Sequence, residues 1–154
     1  MPTGWRIVKT KYAAQAFDGE GARLYGGRWN SPGVRMTYTA GSVSLAVLEV
    51  LVYLNNSSIM SSYSLCAVEF DEPMVMTLDE KKLPAGWRQY PAPLELQSIG
   101  NDWIASQASV ILIVPSAIVE VESNYLINPS HPDYSLITIG DPQQFEFDPR
   151  LLKR

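Results

Sequence analysis

Val43 to Leu54 (VSLAVLEVLVYL) is a run of apolar residues interrupted by a single charge. Drawn as a helix it is apolar on every face, which predicts an element packed inside a fold rather than resting on its surface. Ser42 offers an N-cap side chain, Gly41 marks the turn before it, and Asn55 and Asn56 end the apolar run. The lone charge is Glu49. Its neighbours three and four positions away are Leu45, Ala46, Val52 and Tyr53, so a carboxylate sits among apolar and aromatic groups. Burying an unpaired carboxylate is costly, so such a group is paired, protonated or turned towards a cavity. Two readings follow: a structural glutamate bonded to a backbone group or an arginine, or a carboxylate at the base of a ligand pocket.

A glycine-rich loop precedes this helix. Gly26 and Gly27 lead into Arg28, Trp29, Asn30, Ser31, Pro32 and Gly33. Paired glycines permit a left-handed backbone or the close approach of another group. The spacing matches neither the dinucleotide fingerprint nor the phosphate loop that ends in Gly-Lys-Ser/Thr. Charge is unevenly placed around this loop. Arg6, Lys9, Lys11, Arg23, Arg28 and Arg35 face only Asp18 and Glu20 within residues 1–35, whereas the rest of the chain is acidic and the net charge is −4. A net acidic chain without a basic stripe is poorly suited to gripping a nucleic-acid backbone directly. A basic cluster beside glycines suits one small anionic ligand, or else is a solvated basic surface.

Other chemistries are narrowed by what the sequence lacks. His131 and Cys66, each the only one of its kind, make no metal site by themselves. The lone cysteine fits a reducing cytoplasm. No Gly-x-Ser-x-Gly elbow is present. No signal peptide is apparent, and Ala108–Val114, the longest uncharged apolar stretch, is far too short to cross a bilayer. Charged residues make up 18% of the chain, below the usual roughly 25%, which points to surface covered by a partner or a second copy.

Strands are expected at Trp5–Thr10, Arg35–Thr39, Ser64–Phe70, Met74–Leu78, Val110–Val114, Val119–Ile127, Tyr134–Ile139 and Gln143–Phe147. Leu96, Ile99, Trp103 and Ile104 fall at helical spacing and predict a second helix near 95–106 despite Gly100. Strands outnumber helices and several connections are short. The expected class is α+β, a mixed, mostly antiparallel sheet with a buried central helix, in one domain over 1–154.

The order of the motifs carries more than any one of them. W-R-I at 5–7, F-D-G-x-G-A at 17–22, G-G-R-W-N-S-P-G at 26–33, Y-T-A at 38–40 and L-A-V-L-E-V-L at 45–51 are followed by I-G-N-D-W-I at 99–104, V-P-S-A at 114–117 and E-S-N-Y-L-I-N-P-S-H-P at 122–132. This series resembles the RES domain family over nearly the whole chain. The resemblance implies a toxin of a bacterial toxin–antitoxin pair, with an Xre-like helix-turn-helix antitoxin as partner and an ADP-ribosyltransferase-like fold. It also implies attack on NAD as substrate, with no prosthetic group: hydrolysis or phosphorolysis of the nicotinamide–ribose bond, or transfer of ADP-ribose to a protein. By position in the motifs, Arg28 and Glu49 are the family's arginine and glutamate, Ser116 is its serine with Ser130 as the alternative, and Tyr38 is a tyrosine tied to the site. Arg6, Asn124 and His131 are further candidates for holding NAD. A homodimer is expected. A non-catalytic antitoxin-binding module is the competing role, while a ribonuclease is disfavoured because basic groove and acid–base pairs are lacking.

Overall fold

The computed structural model describes residues 2–54 and 61–152, so Asn55 and Asn56, expected to end the central helix, lie outside the described residues. Eight strands form one sheet: β1 (Thr3–Lys9), β2 (Thr37–Ala40), β3 (Tyr63–Glu69), β4 (Val75–Thr77), β5 (Ile111–Pro115), β6 (Ser123–Ile127), β7 (Thr138–Ile139) and β8 (Gln143–Phe145). Their order is β4-β5-β6-β2-β1-β3-β7, with β8 also pairing β3. Among the described residues, only the β4–β5 pair is parallel. The helices are α1 (Glu20–Tyr25), α2 (Val43–Leu51) and α3 (Leu94–Ser106). This is the α+β class expected.

Alternation along the strands assigns the two faces. Ile7 and Ala40 cluster with Leu45, Ala46 and Leu51 of α2, while Leu112, Val114 and Leu126 cluster with Leu96 and Trp103 of α3. Both helices therefore lie on one face, α2 over β1 and β2 and α3 over β5 and β6, with a seam between them. The opposite face buries Cys66, Val68, Ile111 and Ile127 against Phe17 and Ala16. β1 and β2 share a single paired position, Trp5 with Ala40, and splay apart beyond it.

Several expectations are corrected. α2 ends at Leu51 instead of Leu54, and it is half covered: Leu45, Ala46 and Leu51 are buried, while Leu48 and the following Val52 and Tyr53 are exposed. An apolar run marks a buried helix only where neighbours cover both flanks, and one flank of α2 is the open side of the seam. Strand β6 begins at Ser123 rather than Val119, because the Ser116 hydroxyl accepts from the Ile118 and Val119 amides and holds a turn there. Residues 134–136, expected as strand, belong to a short 3-10 turn (Pro132–Leu136) whose Asp133 amide is capped by His131 Nδ1, and the strand is confined to Thr138–Ile139. The short helix α1 lies outside the expected elements.

Gly100 sits inside α3 for a steric reason. A Cβ there would stand 1.7 Å from the Trp29 carbonyl oxygen, so only glycine lets α3 press onto the 26–34 loop. Ser31 and Gln97 complete that contact: Asn101 Oδ1 accepts from the Ser31 amide, and Gln97 Nε2 donates to the Gly27 carbonyl.

Candidate active site

The seam between α2 and α3 gathers the polar groups of the covered face. Ser42 caps α2 by accepting from the Leu45 amide while donating to Glu122 at 3.0 Å, which fixes the start of the helix against the turn before β6. Two turns on, Glu49 reaches the sheet. Its Oε1 accepts from Asn124 Nδ2 at 3.2 Å and from Ser116 Oγ at 3.3 Å. Asn124 is placed by β6 pairing with Ala40, and its amide also donates to the Thr39 carbonyl. Ser116 is fully buried just past the end of β5.

Glu49 thus has neutral donors on one oxygen. Among the described residues no ion pair includes it, so the arginine-locked structural reading is not what the fold adopts. Burial raises its pKa above the ordinary glutamate value. The Asn124 and Ser116 bonds and the charge of Arg28 work in the other direction.

Arg28 lies at the tip of a tight reversal closed by a Gly27–Asn30 bridge. Its Nη1 donates to the carbonyls of Trp87 at 2.7 Å and Gln89 at 3.2 Å, tying the glycine-rich loop to the 84–91 segment. Tyr38 is held from the other side. Its hydroxyl donates to Asn30 Oδ1 at 2.7 Å and accepts from the Trp29 amide at 2.9 Å. A Cβ on Gly27 would stand 2.6 Å from that hydroxyl, which is the close approach the glycine pair permits. Burial drives the Tyr38 pKa well above its ordinary value, so the phenol stays neutral and its hydroxyl is already committed. The ring is what Tyr38 has left to offer.

Asn30, which the sequence reading did not single out, is the hub of this loop. It is fully buried, and its Nδ2 donates to the carbonyls of Ala22, Ser31 and Val34 while its Oδ1 takes the Tyr38 proton. An asparagine inside a glycine-rich motif was the only signal available for it.

The fold thus joins Glu49, Ser116 and Asn124 by hydrogen bonds, and holds Tyr38 against the loop that carries Arg28, whose charge acts on Glu49. It does not bring Ser130 or His131 to them, and Arg6 reaches only the backbone carbonyl of Tyr38. Arg6 pairs with Cys66 across β1–β3 and so shares the opposite face; Nη1 donates to the Tyr38 carbonyl where β1 and β2 splay. His131 and Ser130 follow the far end of β6 from Asn124. There His131 Nε2 bonds the Gln107 carbonyl, and the Ser130 amide donates to Asn128.

Two cavities lie elsewhere, one of about 430 Å³ at the β4–β5 edge and one of about 250 Å³ on the opposite face. Neither is lined by Glu49, Arg28 or Tyr38. Among the described residues no group of three or more His, Cys, Asp or Glu is placed to hold a metal, and no helix is long and apolar enough to cross a membrane.

Comparison with known proteins agrees with this architecture. The family model of the RES domain matches residues 3–148. The chain is 42% identical over 148 residues to a protein named Toxin Res from Yersinia enterocolitica, covering 96% of this chain and 97% of the relative. It is 37% identical over 155 residues to the Prs ADP-ribosylating toxin of a Sphingobium species, covering 97% and 96%. Among solved structures, it shares its fold with a chain of the M. tuberculosis MbcT–MbcA toxin–antitoxin complex. The TM-score is 0.73 at 19% identity, over 94% of this chain and 84% of that one.

Proposed function

The chain belongs to the RES domain family, whose relatives here are toxins, and from that premise we propose that it degrades NAD by splitting the bond between nicotinamide and ribose. The observation that carries this reading is the state of Glu49: one oxygen fixed by Ser116 and Asn124, burial raising its pKa, and a guanidinium close enough to be felt.

In that reaction the carbon–nitrogen bond breaks with its electron pair leaving on the nicotinamide ring. Nicotinamide departs neutral, so no strong general acid is required. Positive charge grows on the ribose, and a carboxylate held in place in poorly hydrated surroundings stabilises it without reorganising at the moment of reaction. Ser116 and Asn124 keep Glu49 aimed. Arg28 offers its remaining N–H groups to the pyrophosphate, for which a planar fork is better matched than a point charge. The Tyr38 ring stacks on the nicotinamide.

Water or phosphate accepts the ADP-ribosyl group in this reading. Transfer to a protein is the second reading, favoured by the printed name of the Sphingobium relative. Residues 1–154 act as one domain in the cytoplasm, as a homodimer, silenced by an Xre-like antitoxin that covers the mouth of the seam. A pocket that binds antitoxin without turning over NAD is the competing role.

The test is to incubate the purified chain, free of antitoxin, with NAD and follow nicotinamide release. Release that stops as a saturating antitoxin is added is the expected result. No release with water, phosphate or a cell extract as acceptor source would leave only the binding role.

A further inference from the structure

Glu49 is half-buried, and the seam around it is open on the α2 side. Two tyrosines of the flanking segments have most of their surface in water: Tyr53 is 74% exposed and Tyr90 80%. Tyr53 follows Glu49 by four residues, in the turn that continues from the end of α2, so about one helical turn separates the two.

The turn after α2 holds Tyr53 in place. The Tyr53 and Leu54 amides donate back to Val50 and Leu51, and Leu54 packs against the core cluster of α2. Tyr90 directly follows the carbonyls of Trp87 and Gln89 that hold Arg28. Its neighbour Gln89 gives its carbonyl to Arg28, so the segment carrying Tyr90 is pinned to the glycine-rich loop. The Tyr53 phenol is pushed up first by burial, then by Tyr90 and Glu49, and drawn down by Arg28. An exposed aromatic ring forgoes the stabilisation that covering it would bring, and planar heteroaromatic rings are what tyrosine rings stack on well.

Resting on the NAD reading above, we propose that Tyr53 is a substrate-contacting residue whose ring covers the face of the nicotinamide that Tyr38 leaves open, while Glu49 faces the bond to be broken. Nicotinamide rather than adenine is assigned because Tyr53 stands a single helical turn from Glu49. Leu48 and Val52, also exposed, lie on the adjoining line of the helix and are not part of this contact.

Tyr53→Ala and Tyr53→Phe separate the outcomes. In the purified chain, Tyr53→Ala should raise KM for NAD about tenfold, the scale of one lost aromatic stack. Its melting temperature should be unchanged because the ring is exposed. Tyr53→Phe, which keeps the ring, should restore most of the loss. The same Tyr53 changes made in a Glu49→Gln background should weaken NAD binding by titration calorimetry in the same order, with no turnover needed. Binding without turnover in the parent would sink the catalytic reading yet still report on Tyr53. An unchanged KM and Kd in Tyr53→Ala would overturn the inference, as would Phe behaving like Ala. So would loss of antitoxin binding alone, which would make this rim a protein-docking surface. A parent that binds no NAD would overturn both readings together.

Discussion

Glu49 and Arg6 are two charged side chains drawn out of water on opposite faces of one sheet, and the fold treats them differently. Glu49 sits on a helix, meets two neutral donors on one oxygen, and opens to the seam. Arg6 sits in a strand at the point where β1 and β2 part, and one N–H satisfies a Tyr38 carbonyl that the ladder leaves behind. Its Nε is buried without a partner, and desolvation lowers its pKa, with Cys66 and Asp18 pushing the other way. Among the described residues neither belongs to an ion pair. Removing Arg6 would orphan a backbone group. Nothing in the sheet or core would be orphaned by replacing Glu49, apart from the two donors aimed at it. A charge that the fold does not need, yet supplies with aimed donors, is one held for use.

The strongest test of that contrast is Glu49→Gln. If the carboxylate stabilises charge on the ribose, NAD turnover should fall about a hundredfold to a thousandfold, or roughly 3–4 kcal/mol of transition-state stabilisation. Stability should not fall with it. The folded-state pKa of Glu49 is raised, so the folded protein holds this proton more tightly than the unfolded chain does. The destabilisation from carrying the charge is therefore present above the raised pKa and vanishes as pH drops below the ordinary 4.5. Glu49→Gln should melt no lower than the parent at neutral pH, with any advantage disappearing in acid. The parent's rate should fall on acidification through a pKa above 4.5, whereas the residual rate of the variant should not follow that curve. Paired melting and turnover measurements across pH decide this. A variant that unfolds, or one that keeps parental turnover, would break the contrast.

Arg6→Ala should show the complementary pattern. An orphaned buried carbonyl costs about 1–3 kcal/mol, and losing the packed stem adds to that, so denaturant melts should show a loss of roughly 3 kcal/mol. Turnover per folded molecule should match the parent. Arg6→Met keeps the stem and sheds the desolvated charge, so it should lose less. A stable Arg6→Ala protein with a sharply raised KM would instead put Arg6 on the substrate.

How much of this was legible beforehand differs by element. β1, β3, β5 and α3 were anticipated within a residue or two, because their patterns run the full length of each element. Residues 119–122 and 134–136 were misread as strand because the deciding interactions are side-chain caps from Ser116 and His131, which no periodicity records. Glu49 was visible as one charge in an apolar run. Ser116, Asn124, Arg28 and Tyr38 were named through the family resemblance; that Ser116 and Asn124 share one oxygen of Glu49 depends on how β5 and β6 lie beside α2. The Trp87 and Gln89 carbonyls that hold Arg28 were invisible, since backbone acceptors have no residue type. Tyr53, four residues past Glu49, was in plain view as its neighbour and was given no role.

The smallest effect belongs to His131, which the resemblance offered as an NAD contact. Both ring nitrogens are already engaged. Nδ1 accepts from the Asp133 amide, so Nε2 carries the proton that bonds the Gln107 carbonyl at 2.9 Å. Gln107 is the left-handed residue that ends α3, and the bond ties that end to the loop after β6. A ring with both nitrogens occupied by backbone, at the far end of β6 from Asn124, has neither a free group nor a line of approach to Glu49. His131→Ala should therefore cost about 1 kcal/mol, the scale of a lost helix cap, and leave KM and kcat for NAD at parental values. His131→Asn retains a side chain able to accept from the Asp133 amide but is too short to reach Gln107, so it should recover part of that stability. Melting curves and steady-state rates on the three proteins measure both terms. A fall in turnover with the melting temperature unchanged would extend the reactive site along the whole of β6 and place His131, with Glu49, among the groups held for use.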